Sequence, residues 1–157
     1  MPSIEFHTDV AEPLDFASRL LRKAYRQNAR VSVVAPQATL RALDNALWTF
    51  DAHDFVPHAQ VTAATRGTEQ VQRAPIWLMS EVNFDDTPDI LVNLGAELLA
   101  LALAQTQTPA PGALDHFQRI IEVVSRDVDE AASARQRWRE YRQMGLTIKH
   151  HNASASP

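Results

Sequence analysis

The run RVSVVAPQATLRALDNALW, Arg30 to Trp48, decides how this chain is built. Its first part, Arg30 to Pro36, is a β-branched run closed by proline and reads as a strand. Its second part, Gln37 to Trp48, sets Leu40, Leu43, Ala46 and Leu47 on one side of a helix. A strand that feeds a helix is the repeating unit of a layered α/β domain. Upstream, SIEFHT (Ser3 to Thr8) alternates apolar and polar residues and predicts a first strand. EPLDFASRLLRKAYRQN then places Leu14, Ala17, Leu20, Leu21, Ala24 and Tyr25 at helical spacing, with Pro13 suited to a first turn.

Downstream, PIWLMS (Pro75 to Ser80), DILVNLG (Asp89 to Gly95) and HFQRIIEVVS (His116 to Ser125) predict three more strands. DVDEAASARQRWREYRQMG, Asp127 to Gly145, predicts a final helix with an acidic start and a terminal glycine. AELLALALAQTQTP stays open between helix, strand and extended chain. AATRGTEQVQRA, Ala63 to Ala74, reads as a long polar loop. The pattern predicts an α/β layer domain with a mostly parallel central sheet. The expected division is one domain over residues 1–146 and a polar, mobile tail over 147–157.

The 157 residues fit one domain, and 45% hydrophobic with 22% charged residues is ordinary globular composition. A net charge of −4 argues against bulk nucleic-acid binding, which favours basic domains. There are no cysteines, so disulfides, thiol catalysis and thiolate metal sites are excluded together. No apolar run approaches the roughly 20 residues that span a bilayer. MPSIEFHTDV lacks the basic and apolar regions of a signal peptide. The expectation is a soluble cytoplasmic protein with no membrane partner.

An α/β pattern invites a nucleotide site, but the residues for one are missing. The four glycines, Gly67, Gly95, Gly112 and Gly145, form neither GxGxxG nor a P-loop. VVAPQAT, after the second strand, has no glycine that would let phosphate approach a helix start. The histidines are His7, His53, His58, His116, His150 and His151. No two of them sit four apart on a helix with the flanking glutamate of a zinc hydrolase. His150 and His151 are expected to face water. Asp85, Asp86 and Asp89 read as a solvated turn before a strand rather than a cation site. No G-x-S-x-G elbow is present. The reading is non-enzymatic, with no catalytic residues, no metal and no cofactor.

The final helix carries the clearest polar signal. At about 100° per residue, Arg135, Arg139 and Arg142 share a stripe about 60° wide. Trp138 borders the stripe and Ala131 leaves room beside it, while Arg137 points elsewhere. Between Arg135 and Lys149 five basic residues face one acid, Glu140. Two readings stand. The arginines are a solvated face favoured by the helix dipole. Alternatively, with the indole, they form a groove for a carboxylate-rich peptide, since the guanidinium fork pairs with carboxylates. ALWTFDAHDFVPH, Ala46 to His58, poses a similar choice: Trp48, Phe55 and Pro57 are either core or a surface for a partner. His58 is expected to support the turn.

LDNALWTFDAHDFVPH, DILVNL, IIEVV and ARQRWREYRQMGL occur in this order and spacing. On them the chain resembles the chi subunit of bacterial DNA polymerase III holoenzyme, from the first strand to about Leu146. The resemblance implies a three-layer, Rossmann-like α/β domain with no nucleotide-binding loop. It implies a non-catalytic adaptor that binds the acidic C-terminal tail of single-stranded-DNA-binding protein, and also the psi subunit or a helicase-like partner. The tail-binding residues carried over are Arg135, Trp138, Arg139 and Arg142, with Val124 and Val128 as pocket walls. The partner-binding residues are Trp48, Phe55 and Pro57. Trp138 and Arg139 stand where a tyrosine and a lysine are common. Ala131 stands where some relatives carry a further basic residue. The competing expectations are a small-molecule or nucleotide enzyme on the same fold, and direct binding of single-stranded DNA through Trp138 and the arginines.

Overall fold

The computed structural model describes residues 2–49, 56–81, 87–98 and 114–153. Among them seven strands form one sheet in the order β3-β4-β2-β5-β6-β1-β7. The elements in chain order are β1 (Ser3–Val10), α1 (Pro13–Arg26), β2 (Val31–Val34), α2 (Gln37–Thr49), β3 (His58–Val61), α3 (Glu69–Arg73), β4 (Ile76–Met79), β5 (Ile90–Asn93), β6 (Arg119–Ser125), α4 (Val128–Gln143) and β7 (Ile148–Asn152). Every strand pair is parallel. The α/β class and the parallel sheet therefore match the sequence pattern.

The inner strands β2, β4, β5 and β6 read as largely apolar runs because both sheet faces are covered there. Alternate residues divide between two cores. Phe6, Val34, Trp77, Met79, Ile120 and Val124 share one core with Ala134 and Tyr141 of α4 and Val71 of α3. Val33, Ile76, Leu78, Ile121 and Val123 share the other with Ala17 and Leu21 of α1 and Leu40, Leu43 and Leu47 of α2. The period of two along each strand is thus what assigns helices to opposite faces.

Three expectations need correction. The sequence pattern marks no strand at His58–Val61, yet β3 forms there; Val56 is buried ahead of it, and Phe55 lies outside the described residues. The polar segment from Ala63 to Ala74 is not all loop. It holds the one-turn helix α3, capped by the Thr68 hydroxyl, which accepts from the Val71 amide. The expected tail contains β7, which pairs with β1 from Ile4↔Ile148 to Thr8↔Asn152. Both missed strands lie at sheet edges, where one side faces solvent and the apolar alternation fades.

Helix α4 and β7 are joined by a compact turn. Asp127 caps the helix, its Oδ2 accepting from the Glu130 amide at 3.0 Å. At the other end Gly145 takes φ 80°, and the Leu146 amide donates to Tyr141 O at 3.1 Å. That reversal returns the chain to the sheet, where Ile4 N–H donates to Thr147 O at 3.0 Å.

Candidate functional site

Helix α4 presents two unlike faces. Its inner face carries Arg137, which sits with Ala134 and Tyr141 at spacings of three and four residues and is only 3% exposed. The expectation that Arg137 points away from the functional stripe holds, but it points into the core. Its Nε donates to both carboxylate oxygens of Glu122 on β6, at 3.2 and 2.9 Å. Tyr141 Oη donates to Glu122 Oε2 at 2.7 Å, and Asn93 Nδ2 donates to the same oxygen at 3.2 Å. Burial opposes the guanidinium charge, yet the Glu122 charge and hydrogen bonds overcome it and raise the Arg137 pKa. Burial, then the neighbouring Glu122 charge, pushes the Tyr141 hydroxyl well above the usual phenol range. No buried side-chain polar atom among the described residues lacks a partner.

The outer face of α4 lines a groove of about 560 Å³. Phe6 of β1, Val124 of β6 and Ala134 supply apolar lining, with Ala131 beside them. Trp138 is half-buried, tilted over Phe6 at 4.9 Å and edge-on to His150 of β7 at 5.6 Å. His150 Nε2 and the Thr8 hydroxyl lie 2.6 Å apart, fixing that ring against the opposite wall. Arg135 and Arg139 are exposed at the groove. Arg126 joins them and pairs with Asp9 at 3.1 Å.

Of the expected peptide-binding residues, Arg135, Trp138 and Arg139 come together here. Arg142 is exposed further along the same helix and does not line the groove. Val124 is a wall, whereas Val128 is 78% exposed and outside the lining. Residues not singled out from sequence are Phe6, Thr8, Asp9, Arg126 and His150. Alternation in SIEFHT was the available signal for Phe6, and the HH pair hid a strand in which successive rings face opposite sides. A groove that joins an indole and a phenyl ring to several guanidinium groups suits an anionic ligand with an apolar end.

Of the residues expected to bind a partner, Trp48 and Pro57 lie near the other sheet edge. Trp48 ends α2 and is 61% exposed, so it is not core. Pro57 is half-buried, and Phe55 is outside the described residues. His58 packs edge-on to Trp48 at 5.6 Å. Its side chain is 1% exposed, with Nδ1 2.7 Å from Val56 O and Nε2 2.8 Å from Asp44 Oδ1. It therefore ties α2 to the start of β3 beneath Trp48. Of the aspartate turn, Asp85 and Asp86 lie outside the described residues, and Asp89 is exposed ahead of β5.

The family model for DNA polymerase III chi subunit, HolC, matches residues 1–149. The chain belongs to the chi family. This chi-family chain is also 29% identical, over 156 residues, to DNA polymerase III subunit chi of Pseudomonas aeruginosa, with 96% of each chain covered. Chi-family chains are non-catalytic accessory subunits. The Trp48 corner, His58 and the groove residues up to Arg139 fall within the matched span, while the groove wall His150, and His151, follow it.

Proposed function

We propose that this chi-family chain is a replication adaptor with two separate surfaces. The α4 groove takes the acidic, aromatic-ended C-terminal tail of single-stranded-DNA-binding protein. The Trp48–Pro57 corner, with Phe55, meets the psi subunit or a helicase-like equivalent and so links the chain to the clamp loader in the cytoplasm. The observation that carries the reading is the meeting of Trp138 and Phe6 with Arg135, Arg139 and Arg126 around one groove. Tail aspartates and the terminal carboxylate would pair with the guanidinium groups, including Arg142 for a tail that runs past the groove. The terminal aromatic ring would pack beside Trp138.

A short flexible peptide loses much of its interaction energy to ordering, so the expected affinity is about micromolar, roughly −8 kcal/mol. Many tails on one coated strand raise the effective affinity by local concentration. Titration of a labelled tail peptide against wild type, Arg139→Ala and Trp48→Ala tests the reading. Arg139→Ala should bind weakly and Trp48→Ala as wild type. Equal binding by all three removes the assigned groove. Tight binding of bare single-stranded oligonucleotide at the same site would favour direct DNA contact instead.

A further inference from the structure

The sheet face opposite the groove carries polar side chains that neither surface uses. Phe6 and His150 face α4, whereas Glu5, His7 and His151 alternate with them and face the α1 side. His7 is the register partner of His151, and Glu5 sits two residues before His7 on the same strand face. One potential ligand atom from each of the three lies within 4.8 Å of the others. The two imidazoles stack 4.9 Å apart at 16°, and Phe16 of α1 packs on His7 at 5.1 Å.

We propose that Glu5, His7 and His151 form a divalent transition-metal site, suited best to zinc. Two imidazole nitrogens and one carboxylate oxygen are a ligand set that zinc accepts, with a fourth position left for water. His151 is exposed, so that fourth position opens toward solvent. Tetrahedral zinc needs donor atoms about 3.4 Å apart, so binding would draw the three side chains closer than the 4.8 Å within which they already lie. Burial, then the neighbouring His151, lowers the His7 pKa and favours the neutral ring a metal requires. The hydrogen bond from Arg119 lowers the Glu5 pKa and keeps the carboxylate anionic.

Arg119 Nε occupies Glu5 Oε2, leaving Oε1 for the metal, and a ligating carboxylate is commonly held by such an outer partner. Arg119 and Lys149, the register partner of Glu5, are also cationic neighbours, so the affinity is moderate rather than that of a structural zinc finger. Zinc here would staple β7, most of whose residues are exposed, to β1. Stabilisation would then follow zinc concentration by mass action.

The test is calorimetric titration of ZnCl2 into tag-free, chelator-stripped protein at neutral pH, with thermal melts in parallel. Wild type should bind one zinc per chain and melt higher with it. His151→Ala and His7→Gln should weaken binding at least about tenfold. His150→Ala, whose ring faces the groove, should bind zinc as wild type. If His7→Gln melts lower without zinc, His151→Ala at the exposed edge position carries the comparison. No saturable binding by wild type overturns the site. So does binding that survives His151→Ala or is lost with His150→Ala.

Discussion

The two faces of α4 use the same residue type for opposite purposes. Arg137, on the inner face, is buried against Glu122 and Tyr141 of the core network. Arg135 and Arg139, on the outer face, are exposed beside Trp138, and neither forms an ion pair among the described residues. What separates them is desolvation. A buried guanidinium must be matched at once by its own chain, because an unpaired charge there is costly. An exposed one keeps its hydration and can exchange it for a carboxylate that arrives later.

The comparison breaks most visibly at Arg137. Arg137→Ala leaves Glu122 buried without its partner and should cost about 3–5 kcal/mol, read by urea or thermal unfolding. The triple change Arg137→Met, Glu122→Leu, Tyr141→Phe should cost less than that single truncation, since it removes the desolvated charges together. A next, smaller effect belongs to Tyr141. Tyr141→Phe removes a hydrogen bond to a charged group and should cost about 1.5–3 kcal/mol at neutral pH.

That variant also carries a pH signature. The Tyr141 pKa in the folded protein is raised, by burial first and by Glu122 next. Its contribution is therefore full below the unfolded pKa of about 10 and is lost as pH rises through the folded value. Wild type should lose stability above about pH 10 more steeply than Tyr141→Phe. Identical alkaline slopes would contradict the buried phenol.

On the outer face the effects move from stability to binding. Arg139→Ala should leave unfolding within about 0.5 kcal/mol of wild type. It should weaken the acidic tail peptide about tenfold, or about 1.4 kcal/mol. Salt separates the faces further. Raising ionic strength from 0.1 to 1 M shortens screening from about 10 to 3 Å. Peptide binding should fall several-fold, while the Arg137–Glu122 pair, shielded from solvent, should not register the change.

Much of this was legible in the residues. β-branched runs such as VSVV and IIEVV marked buried parallel strands, and the acidic start and Gly145 marked the ends of α4. The stripe of Arg135, Arg139 and Arg142, bordered by Trp138, follows from helical period alone, but the period does not show that Arg142 stands off the groove. The same period sets Arg137 off that stripe and beside Ala134 and Tyr141, but a charged residue there does not by itself signal burial. HAQV and IKHHN were missed because edge strands need few apolar residues. With β7 went His150, a groove wall, and His151, so the pairing with Glu5 and His7 from the far end of the chain was invisible to any local motif.

The exposed arginine face and the exposed Trp48 corner are distinguished in one experiment. The chain has three tryptophans, one at each surface and Trp77 fully buried with its Nε1–H donating to Ala74 O. Titrating the unlabelled acidic, aromatic-ended tail peptide into nitrogen-labelled protein, and following the three indole N–H signals, reads both surfaces and the core together. The Trp138 signal should move and saturate while those of Trp48 and Trp77 stay in place. Movement of Trp48 with Trp138 unchanged would contradict the assignment of the groove.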